Sequence, residues 1–175
     1  MANNTSVIEP LQNLFCSQQW SLEGYLTNSC LWSNNPDRQA VELLETFRNQ
    51  QEQHIQQVAE LIRQRGGVLP KGGYPDAFAI ANFHYASLSY LLRELRGYQE
   101  QILSELSEWQ KGCTDDNEAI GLFDQVIHTT KDHLTQTESL FQLRPQICPD
   151  FMFPDFSSLV HELFHGTHRH PCSSK

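Results

Sequence analysis

An all-α fold, a four-helix bundle, is what this sequence predicts, and three observations carry the prediction. Four long segments repeat apolar residues at steps of three and four, which gives each helix one oily face. Proline and glycine clusters punctuate the chain between those segments. The apolar–polar alternation of a half-buried strand is scarce throughout, so sheet content is expected to be near nil. Four stripes of similar length bury one another most simply as a bundle.

The first helix is expected over roughly residues 9–33, with the stripe Leu11, Phe15, Gln18, Leu22, Tyr25, Ser29, Trp32. Asn34-Asn35-Pro36 ends it, and a proline at a first helical position is preset for the turn that follows. The second spans about 37–65 on Ala40, Leu44, Phe47, Gln51, His54, Val58, Leu61, and Gly66-Gly67 closes it, because glycine tolerates the left-handed conformation of a helix end. Pro70, Gly72, Gly73 and Pro75 mark a loop. The third helix, about 76–110, carries Ala81, Tyr85, Leu88, Leu92, Leu95, Gln99, Ile102, Leu106, Trp109. After Lys111-Gly112-Cys113, Asp115 and Glu118 read as a capping box for the fourth helix, about 116–143. Its stripe is Ala119, Phe123, Val126, Thr130, His133, Thr137, Leu140, and Pro145 stops it. The domain reading is a bundle over 1–143 and an irregular or short-helical tail over 144–175.

The chain's 175 residues suffice for one domain with a real core. A net charge of −9 and no basic stripe argue against a nucleic-acid partner. No segment approaches a membrane span, and the start, Met-Ala-Asn-Asn-Thr-Ser, lacks the basic and apolar regions of an export signal. Five widely spaced cysteines without a Cys-x-x-Cys suit a reduced cytoplasm better than a disulfide framework. A cytoplasmic location is therefore expected.

Chemistry concentrates where the stripes turn polar. Gln51-x-x-His54 and Thr130-x-x-His133 interrupt two inward seams with the same spacing, and Gln18 and Gln99 each interrupt another. Together with helix lengths over residues 10–143 and the stretch Gln-Glu-Gln-His-Ile-Gln-Gln-Val-Ala-Glu-Leu-Ile-Arg-Gln-Arg-Gly-Gly-Val-Leu-Pro from Gln51 to Pro70, this resembles the ferritin-like superfamily, bacterioferritin and rubrerythrin among them. Tyr25, two turns beyond Gln18, adds to the likeness.

The resemblance implies a four-helix bundle with parallel second and third helices joined by a long crossover, although alternating topology also fits a third helix that begins early. It further implies two metal ions held by a Glu on each of helices one and three and a Glu-x-x-His on each of helices two and four. Carried onto this sequence, those positions are Gln18, Gln51 with His54, Gln99, and Thr130 with His133. Both histidines match, while glutamine or threonine stands where each carboxylate belongs. Neutral amide oxygen is a poor bridge between cations, because di-metal sites need hard anionic donors. Glu23 and Glu94 are the nearest substitutes, Glu23 entering the interior if the first helix is rotated.

Three functional readings follow. The leading one is a ferritin-like bundle with an eroded di-metal site, non-catalytic or weakly metal-binding. The second is a non-haem iron oxidoreductase using His54 and His133 with Glu23 and Glu94. The third is a zinc hydrolase, because His161-Glu162-x-x-His165 in the tail puts two ligands one helical turn apart with a carboxylate between them. The cofactor expectation is iron or zinc, or none: none or weakly held metal for the first reading, iron for the second and zinc for the third. The tail's Phe151, Phe153, Phe156 and Phe164 suggest cover for a bundle face, or an apolar patch for a protein partner or a second copy.

Overall fold

A computed structural model of the chain describes residues 5–28, 38–75 and 88–142. Every regular element among them is helical: α1 Thr5–Gln19, α2 Leu22–Asn28, α3 Arg38–Gln64, α4 Leu88–Gln110, a 3₁₀ turn Lys111–Cys113, and α5 Asn117–Gln142. No helix among the described residues is long and apolar enough to cross a membrane. The tail, with His161, Glu162 and His165, lies outside the described residues, as do Ser29, Trp32, Ala81 and Tyr85.

The helix directions follow from contacts at one end of the bundle. The Gln12 amide donates to the carbonyl of Val68 at 2.7 Å, so α1 starts where α3 has just finished. Arg65, one residue past α3, binds Asp116 at 2.6 Å and Glu118 at 2.9 Å, at the start of α5. Gly112, just past α4, packs so closely on Pro10 that an added Cβ would lie 2.8 Å from its ring. Thus α1 and α5 run away from this end while α3 and α4 run toward it. The parallel pair α3 and α4 requires a connection along the bundle, and the chain after Gly67 takes that course. It passes Gln12 at Val68 and reaches α2 at Tyr74, whose hydroxyl accepts from Asn28 at 2.9 Å and whose ring meets Tyr25 edge-on at 5.3 Å.

The ends of α3 and α5 are built from side-chain and glycine chemistry. Gly66, at φ +79°, donates to Arg63 O at 3.0 Å, and Gly67 donates to Ile62 O at 2.9 Å. This pair of bonds closes α3 as a Schellman motif, which requires a left-handed residue at the position glycine occupies. At α5 the cap is Asp116, not the expected Asp115. Its Oδ1 accepts from the Ala119 amide at 3.0 Å. Glu118 does not reach back, because Arg65 draws it sideways. The same guanidinium holds the Asp116 carboxyl below the usual range. Asp116→Ala removes a cap and half of a bridge between two helices. Thermal unfolding should register a loss of about 1–2 kcal/mol, the upper part of the range for a lost cap, whereas Asp115→Ala should change little.

All seven stripe residues of α3 and all seven of α5 are buried, and Ala59, Ile62 and Leu122 join them from beside the stripes. On α4 the stripe from Leu92 to Leu106 is buried, but so is a second one, Leu91, Glu94 and Tyr98. Helix α4 touches α1 and α2 on one side and α5 on the other, so one face is not enough. Cys113 is a buried free thiol. Cys16 is disulfide-bonded, which departs from the expectation of reduced thiols.

Candidate functional site

The continuous first helix of the sequence reading is broken. Trp20 closes the last turn of α1, Ser21 leaves the helix, and α2 starts again at Leu22. In an unbroken helix Gln18 and Glu23 would point about 140° apart at ~100° per residue, so no rotation would put both inside. The break does: Gln18 and Glu23 are both buried.

A helix start inside a bundle exposes backbone N–H groups that water cannot reach. Here side chains satisfy them. Ser21 Oγ accepts from the Gly24 amide at 3.0 Å, in the ordinary manner of a capping serine. The Tyr98 oxygen engages the backbone of Leu22, and the Glu23 carboxyl engages its own backbone. Ser21 then donates to Gln51 Oε1 at 2.8 Å, tying the break to α3. Gln99 Nε2 donates to Glu23 Oε1 at 3.1 Å, tying it to α4. A side chain at Gly24 would be tight, since a Cβ would meet Arg48 Nη1 at 3.0 Å, Ser21 Oγ at 3.2 Å and the Tyr74 hydroxyl at 3.3 Å, and these side-chain ends would have to give way.

The histidines sit beside this network. His54 Nδ1 lies 3.4 Å from Gln18 Oε1, a long contact in which the imidazole N–H is the donor. His133 stacks on Phe47, with ring centroids 3.9 Å apart and planes 20° from parallel, and its Nε2–H donates to Gln50 Oε1. Burial pushes both imidazoles toward the neutral form. His133 falls to about 4, chiefly by desolvation and further by its neighbour His54. Thr130, between them in the expected ligand set, donates to Val126 O at 2.8 Å within its own helix. Burial also pushes the Glu23 carboxyl up, against the hydrogen bonds it accepts, and the Tyr98 hydroxyl up beside it.

The sequence-predicted positions Gln18, Gln51, His54, Gln99, Thr130 and His133 are therefore all interior, and so are the substitutes Glu23 and Glu94. Direct bonds join Gln18 to His54 and Glu23 to Gln99. Glu94 has Arg93 at 3.6 Å as its ion-pair neighbour. It does not complete a ligand set with Glu23 and the histidines. No three His, Cys, Asp or Glu side chains among the described residues converge as a metal-holding group. A groove of about 320 Å³ lies farther along the α3–α5 seam, between Leu43 and Leu140, and neither histidine lines it.

Sequence reasoning missed Ser21, Gln50 and Tyr98. Ser21-Leu22-Glu23-Gly24 did carry a signal, a capping residue with an acid in the following turn and a glycine behind it, but the apolar stripe runs straight through it. Comparison with family models, with curated proteins and with solved structures finds no match to this chain.

Proposed function

We propose that this chain is a ferritin-like four-helix bundle whose interior metal position has become a hydrogen-bonded polar plug, and that it acts as a non-catalytic or weakly metal-binding protein. The bundle assignment rests on antiparallel pairs α1–α3 and α4–α5 with a parallel α3–α4 pair and a crossover between them. One observation carries the functional part. Gln51 and Thr130 stand where a di-metal centre needs carboxylates, and each commits its polar atoms to bonds within the chain, Gln51 to Ser21 and Thr130 to Val126. Two cations between His54 and His133 would meet two neutral imidazoles and no anion at either position. Such a donor set does not fit a di-metal centre.

Metal content of full-length, untagged protein purified without chelators tests this reading. Wild type should carry iron or zinc well below one ion per chain. Gln51→Glu with Thr130→Glu, which restores both carboxylates beside the histidines, should raise iron uptake, and adding His54→Ala should abolish the gain. Near-stoichiometric iron in wild type, lost in both Glu23→Ala and His54→Ala, would instead establish the oxidoreductase reading. That second reading has one observation in its favour, the burial of the Glu23 carboxylate in the polar interior. The tail reading, through His161, Glu162 and His165, is tested separately: a peptidase activity abolished by Glu162→Gln would revive it.

A further inference from the structure

At the end of the bundle opposite Arg65, α3 and α4 begin and α5 finishes. A second apolar cluster sits there, apart from the main core. Ala40, Leu92 and Leu140 are its buried members, and Leu43, Leu88 and Phe141 pack around them only partly covered. Satellite clusters of this kind are typical beneath covering lengths of chain. Between α3 and α5 the cluster opens into the groove of about 320 Å³, with Leu43 and Leu140 in its wall. The rest of that wall is polar and almost uncharged, with Gln39 and Thr46 on α3 and Gln136 and Ser139 on α5. Its one acid, Glu42, is already paired with Arg38 at 2.8 Å.

We propose that this groove is a docking site for the chain's own segment 151–156, and that Phe151, Phe153 and Phe156 fill it and cover the second cluster. Where the chain continues is the first reason. Gln142 ends α5 two residues past Leu140, so residues 143–175 start at the mouth of the groove. Pro145 bars the helix from running on. Phe151 follows Gln142 by nine residues, which span up to ~30 Å at about 3.3–3.6 Å each. The groove reaches back along α5 only from Leu140 to Gln136, about 6 Å at ~1.5 Å per residue. Residues 29–37 and 76–87 are tied to helices at both ends, whereas the tail is tied at one.

Size and chemistry select the same occupant. Ligand pockets run from roughly 300 to 1,000 Å³, so a groove at the low end takes side chains, not a helix about 10–12 Å across. Aromatic rings spaced along an irregular segment match it better than a helix face of a second copy does. Pro149 and Pro154 deny the segment a regular helix, so its backbone N–H and C=O groups need outside partners. Gln39 and Gln136 each offer an amide donor and a carbonyl acceptor. Thr46 and Ser139 donate to carbonyls of their own helices, each at 2.9 Å, and keep oxygen lone pairs to accept with. Asp150 and Asp155 meet no unpaired acid in that wall. A tether this short also gives the segment an effective concentration in the mM range, far above that of a second copy at micromolar concentration.

The test uses the full chain with the photo-cross-linker p-benzoylphenylalanine replacing Phe151, Phe153 or Phe156, one at a time. After irradiation, mass spectrometry should find the tail joined to residues 39–46 of α3, which lie far from it in sequence. In an equal mixture of ordinary and heavy-isotope-labelled chains, both halves of each joined peptide should carry the same label. Thr46→Glu should lose that cross-link, because it fills the groove and sets a carboxylate against Asp150 and Asp155. Thr46 is exposed, so the variant should keep its helical circular dichroism. Joined peptides of mixed label would mean that a second copy fills the groove, and would overturn the proposal. Cross-links confined to other surfaces, no cross-link to α3 from any of the three positions, or a yield unchanged by Thr46→Glu would overturn it too. The result is separable from the metal question, because a docked tail requires no metal at His54 or His133.

Discussion

Phe47→Ala is expected to lower the free energy of unfolding by about 3–5 kcal/mol, the range for emptying an aromatic site in a packed core. Phe47 is fully buried in the main cluster, at the middle of the α3 seam between Leu44 and Gln51. It also supplies the apolar plane on which His133 lies. Truncation would therefore do two things at once: remove a core side chain and open space beside an imidazole that is neutral because it is dry. Urea unfolding at pH 7 gives the first effect as a shift in midpoint at unchanged slope. The second appears as an acid sensitivity weaker than wild type, since a wetter His133 titrates closer to its ordinary value. Phe47→Leu, which keeps most of the volume, should lose far less and retain the acid response. If Phe47→Ala costs under ~1 kcal/mol, the seam is not packed as the helix arrangement requires.

The legible parts of this fold were those where one physical signal acted alone. On α3 and α5 the apolar period was uninterrupted by any competing local motif, and all seven seam residues of each helix are buried as the period predicts. The polar interior was legible for the same reason: a histidine or glutamine in phase with leucine and phenylalanine has to go inside. What the period could not convey was a change of phase. Ser21 is in phase with Gln18 and Tyr25, but the apolar neighbour Leu22 takes that step of the stripe; the Ser21 hydroxyl instead caps α2 and bonds Gln51. Local capping prevailed over continuity because the bond to Gln51, a partner 30 residues away, reinforced it. Asp116 displaced Asp115 as a cap for a similar reason, since only Asp116 also meets Arg65. The second seam of α4 reflects neighbours on two sides, a tertiary fact that a single stripe does not encode. In each miss, a long-range partner selected among local options that the sequence left nearly equal.

Acidification should destabilise the bundle in two steps, the larger of them set by His133. Its folded-state value is about 4 against an ordinary 6.5, so the unfolded chain takes up a proton that the folded chain refuses. The stabilisation from a dry, neutral imidazole is whole above 6.5 and is lost as pH falls from 6.5 to about 4. The difference corresponds to roughly 3 kcal/mol for a group shifted this far. His54 is shifted the same way and adds to the slope over the same side of neutrality. Asp116 acts later: held below its ordinary 3.8 by Arg65, it loses its contribution only as pH drops through its lower folded value. Glu23 opposes both, because its raised value makes the folded chain the better proton acceptor. Urea midpoints for wild type and His133→Gln at pH 7, 5.5 and 4 isolate the largest contribution. Glutamine keeps an N–H for Gln50 but cannot titrate, so the variant should lose less stability between pH 7 and 4 than wild type. Two parallel curves would mean that His133 is hydrated in the native state. A buried imidazole is then not what separates the two interior seams, and the polar plug would have to be redrawn with water in it.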